Sequence, residues 1–164
     1  MLPSLGDQLR GEAKSLTSGM AWDMQPTFSP DGKHIAFTSD RNGGDNLWLM
    51  NADGTEPRAL TEERFRLPSA PAFSPDGKQL LARKHFTTTR SLGTGEIWLY
   101  DLRGGKGVAV VERPNKTYQK ELGEPVYAPD GQSLYYSQNA TSGDTFIYAQ
   151  DTDGQVFHIT QLNL

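Results

Sequence analysis

The chain has 164 residues, 35% hydrophobic and 22% charged, which is enough apolar content to bury a core and a length that suits about one domain. Sixteen Lys and Arg against 20 Asp and Glu give a formal net charge of -4, so no electrostatic attraction to nucleic acid or to an anionic membrane is expected. There is no cysteine, which excludes disulfides, thiolate metal sites and cysteine nucleophiles and leaves the redox compartment open.

At the N-terminus, Pro3, Gly6, Asp7 and Gln8 interrupt any apolar run of signal-peptide or membrane-span length. The segment Gly11-Glu-Ala-Lys-Ser-Leu-Thr17 lines up with Thr55-Glu-Pro-Arg-Ala-Leu-Thr61, 44 residues later. It is expected to be a fourth strand without its blade, within an N-terminal strand and linker over 1–24.

The strongest signal follows. Pro26-Thr-Phe-Ser-Pro-Asp-Gly-Lys33, Pro71-Ala-Phe-Ser-Pro-Asp-Gly-Lys78 and Pro125-Val-Tyr-Ala-Pro-Asp-Gly-Gln132 read almost alike, at spacings of 45 and 54 residues. A period near 45 with β patterning belongs to propeller blades, four-stranded units that cannot bury their faces without neighbours. In the first unit a strand at Gln25 to Phe28 meets a Pro-Asp-Gly reversal, then Lys33 to Ser39 alternates apolar and polar residues. Asn46 to Asn51 gives a third strand, and Asp53-Gly54 turns the chain into Pro57 to Thr61. The second unit places its later strands at Gln79 to Lys84, Glu96 to Asp101 and Val108 to Val111. The third places them at Ser133 to Gln138, Phe146 to Asp151 and Val156 to Thr160. The expectation is an all-β propeller segment of three four-stranded blades, at 25–70, 71–124 and 125–164, plus the orphan N-terminal strand. Almost no helix is expected. A closed propeller usually has about four to eight blades. The segment is therefore expected to be completed by missing sequence or by association of copies through exposed blade edges.

These motifs, with Ile35-Ala-Phe-Thr-Ser-Asp-Arg41 and Leu47-Trp-Leu-Met-Asn-Ala-Asp-Gly54, resemble the WD40-like repeats of TolB-type β-propellers over nearly the whole chain. Thr17 to Pro26, Ala82 to Gly93 and Leu122-Gly-Glu-Pro125 further resemble the N-terminal propeller of large metal-dependent amidohydrolases. The first resemblance implies a non-catalytic scaffold for a protein or an attached domain, the second a fragment of a hydrolase whose catalytic part lies outside this chain. Both imply a periplasmic or secreted address.

Chemistry-bearing motifs are sparse. His34, His85 and His158 fall one per repeat with no metal-ligand spacing, and read as strand residues; no metal site or cofactor is expected. No nucleophile elbow or phosphate-cradling loop occurs. The carboxylates of Asp40-Arg-Asn-Gly-Gly-Asp45 and Asp151-x-Asp153-Gly154 read as turn residues before calcium ligands. Trp48 and Trp98, at equal places in successive repeats, read as packing aromatics. Binding is expected on the loops that gather at one end of the blades. The candidate contact residues there are Trp22, Asp23, Arg64, Phe65, Arg66, Arg90, Tyr118, Lys120 and Glu121, since aromatic and Arg side chains dominate interface energy. Arg64 and Arg66 could alternatively pair with Glu62, Glu63 or Asp23.

Overall fold

Each repeated turn folds as its residues dictate. In the first, the Ser29 hydroxyl donates to Asp31 Oδ1 at 2.6 Å and accepts the His34 N–H at 3.0 Å, while Asp31 Oδ1 also accepts the Lys33 N–H at 3.1 Å. Gly32 sits at φ 70°, a left-handed conformation that a side chain resists. The second turn repeats these bonds through Ser74, Asp76, Lys78 and Gln79. The third has Ala128 in place of the serine and keeps the Asp130 bond to the Gln132 N–H at 2.9 Å.

The computed structural model describes residues 12–65, 67–85, 95–112, 122–139 and 144–158, and among them the turns join strands of three four-stranded antiparallel sheets. Blade one holds β1 (Asp23–Phe28), β2 (His34–Ser39), β3 (Asn46–Asn51) and β4 (Arg58–Ala59). Blade two holds β5 (Pro68–Phe73), β6 (Gln79–His85), β7 (Gly95–Asp101) and β8 (Val108–Val111). Blade three holds β9 (Val126–Tyr127), β10 (Ser133–Asn139), β11 (Thr145–Asp151) and β12 (Val156–His158). Every sheet is a meander in chain order. The described residues contain no helix, so none is long and apolar enough to cross a membrane.

The innermost strands of blades one and two run longer than the sequence pattern suggests. β1 begins at Asp23 and β5 at Pro68, ahead of their motif prolines, because a bulge shifts the register between Met24 and Thr27 and again between Ser69 and Ala72. Gln25 and Ala70, each just before its proline, sit at φ 55° and 53°. The bulge breaks the apolar alternation that would announce the extra residues.

Blades pack face to face. Ala36, Leu47, Leu49 and Leu60 of blade one meet Phe73, Leu80, Ala82 and Tyr100 of blade two. Leu81, Ile97 and Val111 of blade two meet Leu122, Leu134 and Tyr136 on the side of blade three. The same repeat position therefore always looks toward the next blade: Leu47 and Ile97 are 0% exposed beneath that neighbour. Ile147, their counterpart in blade three, is 48% exposed. Trp98 packs against the first junction and Trp48 against Ile35, Phe37 and Met50 on the opposite face of blade one.

The N-terminal segment differs from the expected strand. Residues 12–22 belong to none of the three sheets, because a strand in that repeat position pairs with a β3 counterpart and no such partner precedes it among the described residues. Leu16 instead packs on the Ile35, Phe37 and Met50 cluster and caps that face.

Candidate functional site

Within the bulge that lengthens β1, the Gln25 side chain bonds to β2, to β5 and to the segment ahead of β9. Its Oε1 accepts the Thr38 hydroxyl at 3.1 Å and the Ala70 backbone N–H at 2.9 Å, and its Nε2 donates to Glu124 Oε1 at 2.8 Å. One residue of blade one thus bonds to β5 of blade two and to Glu124, two residues ahead of β9. Gln25, Ala70 and Glu124 each precede a motif proline, so aligning the repeats on that proline marks this position in the sequence.

Above this hub the charges are paired with one another. Arg41, at the start of the β2–β3 loop, holds both Asp23 oxygens at 2.8 and 2.7 Å through Nη2 and places Nε 3.0 Å from Ser39 Oγ. Its guanidinium lies 4.8 Å from the centre of the Trp48 ring. Burial opposes ionisation of Asp23, but hydrogen bonds from Ser39, Arg41 and Thr17 and the Arg41 charge outweigh it and hold the carboxyl below its usual range. Lys84, whose side chain is 4% exposed, forms an ion pair with Glu63 and stands 4.0 Å from the centre of the Trp98 ring. His85 Nε2 lies 3.0 Å from Ser69 Oγ, while its buried Nδ1 has no hydrogen-bond partner among the described residues. Burial first, then the Arg83 charge, pushes His85 down to about 4 against an opposing pull from Asp45, so the ring is neutral at pH 7.

Buried Asn46 fixes the loops between these pairs. Its Oδ1 accepts the Thr61 hydroxyl at 2.8 Å and the Glu63 N–H at 2.7 Å, and its Nδ2 donates to the Gly44 and Glu63 carbonyls at 3.0 and 3.1 Å. The N-terminal segment joins the same end through the Trp22 N–H, which donates to Asp40 Oδ1 at 2.8 Å. The loop over residues 40–45 therefore contacts both flanking segments.

Of the sequence candidates, Trp22, Asp23, Arg64 and Phe65 gather at this end, and Arg66, Arg90, Tyr118, Lys120 and Glu121 lie outside the described residues. Trp22 is 62% and Phe65 73% exposed, and Met20, which the sequence reading passed over, is 99% exposed. Arg64 is exposed and forms no ion pair among the described residues; Asp23 and Glu63 take Arg41 and Lys84 as partners instead. Carboxylates of the Asp-Gly turns act as local acceptors, as where Asp151 Oδ1 takes the Asp153 and Gln155 N–H groups. Arg41 and Lys84 pair with Asp23 and Glu63 on other segments, so no local spacing marks them in the sequence.

Three meander sheets sharing apolar faces around converging inner strands define a β-propeller architecture. Comparison with known proteins narrows it. The chain is 25% identical to TolB from Acinetobacter baumannii with a TM-score of 0.70, covering 90% of this chain and 34% of that one. A putative TolB structure from Agrobacterium tumefaciens matches at 23% identity and a TM-score of 0.64, over 83% of this chain and 45% of that one. Among curated sequences, the uncharacterized peptidase YuxL of Bacillus subtilis is 32% identical over 161 residues, 78% of this chain and 23% of that protein. No protein-family model matches. The chain has the TolB-like β-propeller fold. It spans less than half the length of the curated relatives it matches.

Proposed function

We propose that the chain is a non-catalytic propeller module whose loop end binds a protein or an attached domain. The observation that carries this reading is the exposure of Met20, Trp22 and Phe65 on loops clamped by Asn46 and the Trp22–Asp40 bond. Large apolar side chains held on a rigid base lose little conformational entropy when covered, and aromatic anchors of this kind contribute most where they become desolvated. The Arg41–Asp23 and Lys84–Glu63 pairs are already formed, so a partner covering this end need not separate them. Likeness to TolB supports a periplasmic or secreted address within the same proposal. Self-association through the outer face of blade three also belongs to it, supported by the exposure of Val126 and Ile147.

A second reading makes the chain the propeller part of a hydrolase, and the 32% identity to peptidase YuxL favours it. There the loop end would face a catalytic domain and shape substrate access. One experiment tests both. A photo-crosslinking residue replaces Trp22, Phe65 or, as a control on the β7–β8 turn at the opposite end, Arg103, in the source cells. Adducts from Trp22 and Phe65 with none from Arg103 support the loop end, and an adduct within one longer polypeptide favours the hydrolase reading. Equal yields from all three positions, or none from the loop end, would refute the proposal.

A further inference from the structure

The three blades allow one junction to serve as the control for another. Between blades one and two, Tyr100 is buried and Leu102 packs beside it, filling the junction toward the end that carries the Ser-Pro-Asp-Gly turns. Arg58 Nη2 donates to the Leu102 carbonyl at 2.7 Å, and Arg103 holds Asp101 through bonds of 2.9 and 2.7 Å. One repeat later the strand registers put Gln150 where Tyr100 stood and Val108 where Arg58 stood. Counting from those strands, Thr152 replaces Leu102 and Asp153 replaces Arg103, while the third motif turn carries Gln132 where the first two carry Lys33 and Lys78. Two bulky fillers become smaller and polar, and three cationic positions lose their charge or reverse it.

The consequence is a cleft of about 660 Å³ between blades two and three. Leu81, Leu99, Val110, Tyr127 and Leu134 form an apolar floor, and Asp76, Asp130, Asp151 and Asp153 stand around it. Gln150, too short to fill the space that Tyr100 fills, reaches across to the Val110 carbonyl at 2.9 Å. Asp76 has Lys78 at 3.5 Å, whereas Asp130, Asp151 and Asp153 form no ion pair among the described residues. Among the described residues, no Lys, Arg or His lines the cleft.

We propose that this cleft is a binding site for a small amphipathic organic cation, an ammonium or amidinium group carried on an aromatic or alkyl body. The volume falls within the roughly 300–1,000 Å³ of small-ligand pockets. The apolar floor takes the body by the hydrophobic effect, and the carboxylates take the charge by hydrogen bonds that are stronger for being charge-assisted. An anion would meet like charge at the same rim, and a neutral body would leave the carboxylates without a counter-charge. The site lies at the turn end of the blades and is independent of the loop-end reading.

The test is isothermal titration calorimetry of the full chain with benzamidine, using benzamide as its neutral isostere. Benzamidine should bind at least about tenfold more tightly and lose affinity as salt rises. Asp153→Arg, at an exposed turn, should abolish the preference. Gln150→Tyr with Thr152→Leu restores the residues of the filled junction and should abolish binding outright; if that pair fails to fold, Asp153→Arg decides. Equal binding of the two compounds, no heat from benzamidine at millimolar concentration, or undiminished preference in Asp153→Arg would overturn the proposal. Binding of tetralysine where benzamidine fails would overturn it too, transferring the cleft to a basic protein partner.

Discussion

Leu47 and Ile147 occupy the same repeat position on the third strand of their blades, yet one is 0% and the other 48% exposed. Truncating each to alanine should therefore cost very different amounts. Leu47→Ala removes about three methylene equivalents from a junction packed between Ala36, Leu80 and Tyr100 and leaves a cavity, for a loss of about 3 kcal/mol. Ile147→Ala removes similar surface that is already half in water and opens no closed cavity, for about 1 kcal/mol. With a urea dependence of about 2 kcal/mol per molar for a chain of this size, the midpoints should fall by about 1.5 M and about 0.5 M. Urea unfolding followed by far-UV circular dichroism measures both, with tryptophan fluorescence as a second probe. If Ile147→Ala destabilised as much as Leu47→Ala, the outer face of blade three would be as well covered as the junctions, and the reasoning from repeat position to exposure would fail.

Two further predictions concern the loop end. His85 is held at about 4 in the fold against an ordinary 6.5, so between those values the unfolded chain binds a proton that the folded chain does not. Stability should be full above about pH 6.5 and decline as pH falls toward 4; His85→Gln should flatten that decline in urea unfolding at a series of pH values, and an unchanged slope would refute the assignment. Gln25→Ala strands the Ala70 N–H and removes the partner of Glu124, which should cost about 1–3 kcal/mol and speed hydrogen exchange at the Ala70 amide. Unaltered exchange there would show that Gln25 does not tie the blades together.

The architecture is legible because its signals are local. Ser-Pro-Asp-Gly specifies a turn through bonds spanning five residues, as between Ser29 and His34; it recurs in blade two, and blade three keeps its Pro-Asp-Gly. Apolar alternation then writes the second and third strands directly into the sequence. The candidate site is legible only in part. Trp22 and Phe65 are conspicuous as aromatic residues in long loops, whereas the pairs beneath them join segments whose proximity depends on blade packing. Lys84 reaches Glu63 from the next blade. Arg41 reaches Asp23 across a hairpin whose inner strand is lengthened by the bulge, and no periodicity reports that extension.

The cleft between blades two and three exposes a different limit. Its evidence is what the third repeat lacks, and a missing side chain is visible only when the repeats are compared position by position in register. Such comparison separates two kinds of position. Turn residues are set by the backbone they must bend: Gly32, Gly77 and Gly131 all adopt φ near 70°, whatever lies beyond them. Junction residues are set by the neighbour they must meet, so Tyr100 can become Gln150 without disturbing any turn. Because junction identity is uncoupled from the turns that define the blade, a propeller can open a cleft at one junction while the adjacent one stays packed. In this chain the loss of filler and the loss of cationic positions fall at the same junction, and that coincidence is what separates a site for a charged ligand from a merely loose contact.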